Sequence, residues 1–132
     1  MSTVKSYSVG NGDMYTIRHA SDNFTIIDCC LSEDVRNGII AGIKADQEGK
    51  DVVRFISTHP DEDHLLGLKY LDEEVGLRNF YCIKNKVTKE DETEDFKHYC
   101  TLRDDTQKAF YIYRGVTRKW MNVTDEKRDQ QA

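Results

Sequence analysis

The chain has 132 residues, a length that suits one domain with a real core rather than two independent ones. With 38% apolar residues, 33% charged residues and a single proline it has a globular composition, and it contains no run of about 18 apolar residues that could cross a membrane as a helix. The net charge of −5 is uneven. Residues 1–66 carry six basic and eleven acidic side chains and residues 67–132 carry thirteen of each, which argues against the basic face of a general nucleic-acid binder.

The opening "MSTVKSYSVG" lacks the apolar core of a secretory signal. "VKSYSV" (4–9) and "MYTIRH" (14–19) read as strands around the turn "GNGD". "NFTIID" (23–28) is a third strand ending at Asp28. From Ser32, a good N-cap followed by Glu33 and Asp34, a helix is predicted to about Gln47, with Val35, Ile39, Ile40 and Ile43 at helical spacing. "VVRFIS" (52–57) has the near-continuous apolar character of a strand buried on both faces.

A second helix follows, marked by Leu65, Leu68, Leu71 and Val75 and stopped near Gly76. "NFYCI" (79–83) is again a strand. The charged loop "KNKVTKEDETED" (84–95) leads into a third helix with Phe96, Tyr99 and Cys100 on one face, and "AFYIYRG" (109–115) is the last strand. Helices alternating with apolar strands after an antiparallel opening predict an α/β fold, a mixed sheet covered by helices on one side. It should occupy residues 1–123, with 124–132 as a polar tail.

Cys29, Cys30, Cys82 and Cys100 have neither CxxC spacing nor a regular disulfide framework, so reduced thiols packed as small hydrophobes are expected. The corresponding localisation is cytoplasmic, where the Asn23–Thr25 and Asn122–Thr124 sequons carry no glycan.

The densest chemistry lies in "FISTHPDEDHLLGL" (55–68), at the C-terminal end of a strand where ligands of open α/β sheets gather. Pro60 holds His59 extended, and residues two apart on an extended segment share a side, so His59 and Asp61 can grip one ion. Asp63 and His64 follow at the turn into the helix and could hold a second. Imidazole and carboxylate together suit zinc, manganese or iron. The competing reading is an ordinary acidic helix start, since Asp61, Glu62 and Asp63 all favour the positive helix end. That role needs neither histidine.

"STHPDEDHLLGL" resembles the metal-binding loop of the metallo-β-lactamase fold, in particular the H-P-D-x-D-H variant of the hydrolase domain of bacterial DNA-uptake channel proteins. "YSVGNGDMYTIRHASDNFTIIDCC" resembles the upstream V-G-x-G-D turn and strand of the same family, and the likeness covers residues 4–83. It implies an αββα hydrolase with His59 as the first ligand of one metal and Asp61 standing where most members have histidine. Asp63 and His64 would bind a second metal, Asp63 also orienting the nucleophilic water, while Asp28 would support the loop from behind. Asp61 in place of histidine makes the site harder and favours manganese or magnesium relative to zinc. Cys30 stands where the family usually has glycine.

The resemblance also implies a second half that supplies a bridging aspartate and further ligands, and no such motif follows. His98, between Phe96 and Tyr99, reads as a surface or packing residue. The chain is therefore expected to be the N-terminal half of a hydrolase, with one apolar sheet face uncovered and "AFYIYRG" an exposed edge. It should form a homodimer or associate with a missing C-terminal half.

The expected reaction is hydrolysis by metal-activated water, on a phosphodiester if the likeness to the DNA-uptake group extends to substrate. Arg114, Arg118 and Lys119 beside Trp120 could face such a substrate, although a solvated strand end explains them better. The "VGNGD" turn could pass for a phosphate cradle but is better read as a tight hairpin. The alternative function is a non-catalytic interaction or metal-binding module that retains the loop as a remnant.

Overall fold

The computed structural model describes residues 2–10 and 12–116. The expected polar tail, the boundary at residue 123 and the Arg118–Lys119–Trp120 group lie outside the described residues. Among the described residues seven strands, β1 (Thr3–Ser6), β2 (Tyr15–Arg18), β3 (Asn23–Ile27), β4 (Cys29–Cys30), β5 (Val52–Ile56), β6 (Asn79–Cys82) and β7 (Ala109–Tyr111), are interleaved with four helices. The helices are α1 (Arg36–Asp46), α2 (Glu62–Leu65), α3 (Leu68–Val75) and α4 (Glu94–Arg103).

Six strands form one mixed sheet in the order β1-β2-β3-β5-β6-β7. The first two pairings are antiparallel and the remaining three parallel. From β3 onward each crossover steps to the next strand in the same direction. Right-handed connections then put every crossover helix on the same face, and α3 packs against both α1 and α4. The expected α/β architecture with a mixed sheet and its helices on one side is thus present.

Alternation along the strands sends Phe24 and Ile26 of β3, Val53 and Phe55 of β5, and Phe80 and Cys82 of β6 to the helix side. There they join Ile40, Ile43, Leu68, Leu71, Phe96 and Leu102 in one buried cluster. Phe55 and Phe80 stack at 5.7 Å, and Tyr99 meets Phe80 edge-on at 5.6 Å. Aromatic contacts of this kind add to simple area burial.

The opposite face carries polar pairs among its residues. At its centre Arg54 donates to the Tyr81 hydroxyl (3.1 Å) and to the Asn23 side-chain oxygen, and His19 bonds the Thr25 hydroxyl at 2.8 Å. These residues are buried, so polar pairing replaces greasy contact there. β7 is the sheet edge as anticipated, with Tyr111 and Tyr113 exposed, but it ends at Tyr111 rather than at 115. β1 is likewise shorter than predicted and ends at Ser6.

Two helices also differ from expectation. The first begins at Arg36, not Ser32. The Ser32 carbonyl accepts from the N–H groups of Val35 and Arg36, and its hydroxyl contacts the Asp34 carboxylate at 2.5 Å instead of capping a helix. Residues 32–35 are consequently a turn. The second predicted helix is split into α2 and α3. Leu65 and Leu66 bridge β4 in parallel, Leu31 N–H donates to the Leu66 carbonyl at 2.8 Å, and Gly67 takes a left-handed φ of 85°. A Cβ on Gly67 would lie 2.5 Å from the Leu31 Cβ. The Asp95 carboxylate, reaching across from α4, accepts from Gly67 N–H (2.8 Å) and Lys69 N–H (3.0 Å) and so caps the start of α3.

Candidate metal centre

Parallel pairing in the register Ile27↔Ile56 brings the carboxyl ends of β3 and β5 side by side. Asp28 leaves β3 with a left-handed φ of 56°, a conformation that Asp tolerates better than most residues. This bend carries its buried carboxylate towards the segment after β5. One oxygen, Oδ1, accepts from Thr58 N–H at 2.8 Å. The other, Oδ2, accepts from the Thr58 hydroxyl at 2.6 Å and lies 3.1 Å from His64 Nδ1. Asp28 therefore ties together both sides of the loop.

These contacts determine which imidazole nitrogens are available. A carboxylate only accepts, so His64 Nδ1 carries the proton facing Asp28 and Nε2 is the nitrogen turned away from it. The single Thr58 hydroxyl hydrogen is likewise committed to Asp28. Thr58 Oγ1 must then accept from His59 Nδ1, 3.1 Å away, so that Nε2 is the ring nitrogen left to face outward. That nitrogen lies 3.5 Å from Asp61 Oδ2. With a proton on Nε2 this contact is an ion pair, and with the proton gone it sets two electron-pair donors across a gap that a cation could fill. Donors about 2.0–2.1 Å from a tetrahedral zinc are about 3.3 Å apart, close to the observed gap.

The two rings are also neighbours, with centroids 3.8 Å apart and planes inclined at 53°. His59 and Asp61 are exposed, whereas His64 is mostly covered. Of the four predicted ligands, His59, Asp61 and His64 are linked by these short contacts. Asp63 is exposed on the first turn of α2. Among the described residues, no group of three or more histidine, cysteine or carboxylate side chains is arranged to hold a metal ion. The donor types suit a metal, while the complete ligand set is not assembled among the described residues.

Two contributors escaped the sequence reading. Thr58 sets the tautomer of His59 while fastening Asp28, and its position between the strand and His59 was the available signal. Gly12 is the other. A Cβ there would come within 2.4 Å of the Asp63 carbonyl and 2.6 Å of the Cys30 Cβ, so the "VGNGD" turn packs directly onto the loop. Its backbone N–H also bonds the Cys30 thiol. Burial raises the pKa of the Cys30 thiol above its ordinary value, with Asp63 reinforcing the shift.

His98, the remaining histidine after the loop, pairs with Asp72 at 2.7 Å and joins α4 to α3, a packing role away from the cluster. Compared with models of protein families, with curated proteins and with solved structures, the chain matches none of them.

Proposed function

We propose that the 58–64 loop is a divalent-cation site and that this chain carries it as a metallo-β-lactamase-like hydrolase. The observation carrying this reading is the facing pair of His59 Nε2 and Asp61 Oδ2, with His64 beside it and held by Asp28. Buried carboxylate–histidine pairing is a recurrent means of orienting a metal ligand. Zinc or manganese suits this mixed nitrogen and oxygen set.

A divalent ion held there supplies Lewis acidity and a water of lowered pKa. The chain's own residues orient His59 through Thr58 and His64 through Asp28. Asp63 on the first turn of α2 is the exposed carboxylate available to accept a proton. A second ion would be held by Asp63 and His64 and would need further ligands beyond those of the loop. A phosphodiester is the proposed substrate class by resemblance to the DNA-uptake hydrolases.

The lack of a third converging ligand among the described residues favours, as the second reading, a non-catalytic module that binds one ion weakly. Elemental analysis and zinc or manganese titration of chelator-treated protein test the site, with His59→Ala as the control. Equal metal content in both proteins would remove the cation site. Turnover of bis-p-nitrophenyl phosphate by the loaded protein separates hydrolase from module.

A further inference from the structure

A small cavity of about 130 Å³ opens beside His59. Ser57, Ile83, Val87 and Tyr99 contribute to its wall. Asn85, also in the wall, is fastened on several sides. Its amide donates to the Tyr99 hydroxyl (2.9 Å) and to the Ile83 carbonyl (2.7 Å), and its oxygen accepts from Arg103 (3.2 Å). Arg103, itself buried, also donates to the Val87 carbonyl at 2.9 Å. Lys89 then clamps the same strap to the metal loop by donating to the Pro60 carbonyl at 2.9 Å. The charged 84–93 segment is therefore a fixed wall at this point.

Two features give the cavity a chemical preference. Among the described residues no carboxylate, ammonium or guanidinium group lines it, the His59 ring and the Tyr99 hydroxyl being its ionisable walls, so in the metal-free protein it offers a charged occupant no opposite charge of that kind. Ser57 is 1% exposed, and its hydroxyl has no hydrogen-bond partner among the described residues. A buried hydroxyl in that state gains from an occupant that supplies one. An apolar cavity of about 150 Å³ accommodates benzene, which sets the size class.

We infer that this cavity is a recognition pocket for an uncharged, benzene-sized group bearing one hydrogen-bonding atom, such as an aryl or short branched acyl substituent, read by Ser57. The inference deepens the hydrolase reading, and rests on it for substrate chemistry, by placing the uncharged part of a substrate next to His59. Occupancy of the cavity itself does not require a metal.

The test is an amide-shift titration of chelator-treated protein with benzyl alcohol, toluene and inorganic phosphate, repeated with Ser57→Ala. Benzyl alcohol should give saturable shifts concentrated at residues 57–60, 83–87 and 99, and phosphate should give none there. Ser57→Ala should weaken benzyl alcohol about threefold to tenfold, the worth of one hydrogen bond, and leave toluene unchanged. Absent or scattered shifts in the wild-type protein, or an equal effect of Ser57→Ala on both aromatic probes, would overturn the inference. The wild-type titration decides even if the variant fails to fold. Because no metal is present, failed zinc or manganese binding counts only against the cation site, and failed aromatic binding only against the pocket.

Discussion

Asp28→Asn changes one atom and should reverse both imidazoles. The substitution keeps the side-chain volume, and Asn is at least as tolerant of the left-handed φ of 56°. Thr58 N–H still needs an acceptor, which fixes the amide with its oxygen at that position and its NH₂ where Oδ2 stood. The NH₂ group now donates to the Thr58 hydroxyl and faces His64 Nδ1. His64 must accept at Nδ1 and move its proton to Nε2. The Thr58 hydroxyl hydrogen, no longer taken by a carboxylate, is free to turn towards His59 Nδ1, and His59 then also carries its proton on Nε2.

Three charge-assisted bonds become neutral ones, at a cost of about 1–3 kcal/mol in folding stability. The larger effect is on the cation. Loss of this supporting carboxylate should weaken zinc or manganese binding about 10–100-fold. Long-range ¹H–¹⁵N spectra of the imidazoles report the tautomers directly, and titration calorimetry gives the affinity. A folded Asp28→Asn protein that retains both Nδ1–H tautomers and binds zinc as tightly as wild type would refute the reasoning, because the tautomer assignment would then not depend on Asp28.

Other substitutions probe the scaffold. Gly12→Ala should lose about 1–3 kcal/mol in urea unfolding because its methyl meets the Asp63 carbonyl at 2.4 Å, whereas Gly38→Ala, in open space on α1, should gain about 0.5–1 kcal/mol. Asp95→Ala uncaps α3 and should cost about 1–2 kcal/mol, with hydrogen exchange accelerated at Gly67 and Lys69. Burial pushes the Cys29 thiol well above its ordinary value of 9.0 and raises Tyr99 above 10.0. The folded state holds those protons longer than the unfolded chain does, so their contribution is complete below pH 9.0 and is lost as pH rises further. Urea midpoints should therefore fall between neutral and strongly alkaline pH, and a flat profile would contradict this assignment.

The parts of the fold legible in the sequence were those encoded by a local period. The buried strands announced themselves through runs such as "VVRFI", and α4 through the spacing of Phe96 and Tyr99. Helix boundaries were less legible where distant backbone competed for the same groups. Leu65, Leu68 and Leu71 suit one continuous helix, yet the Cys29–Leu31 segment captures Leu65 and Leu66 as strand partners, and that long-range pairing divides the helix at Gly67. Thr58 was missed for a related reason. A hydroxyl has no periodic signature, and its role exists only because Asp28 arrives beside it through the β3–β5 register.

The glycine turn shows how such long-range fits compensate one another. Cys30 follows the β3 strand, in β4. The Cys30 side chain fills the space that a Cβ on Gly12 would enter. Bulk on one segment is therefore accommodated by its absence on the other. The two positions should be coupled. Cys30→Gly should recover part of the stability lost in Gly12→Ala by removing both cysteine contacts. The Asp63 carbonyl clash remains, so recovery should be incomplete and metal affinity should stay below wild type. A double-mutant cycle measures this directly. Strict additivity would show that the turn and the loop are held apart by something other than their mutual packing.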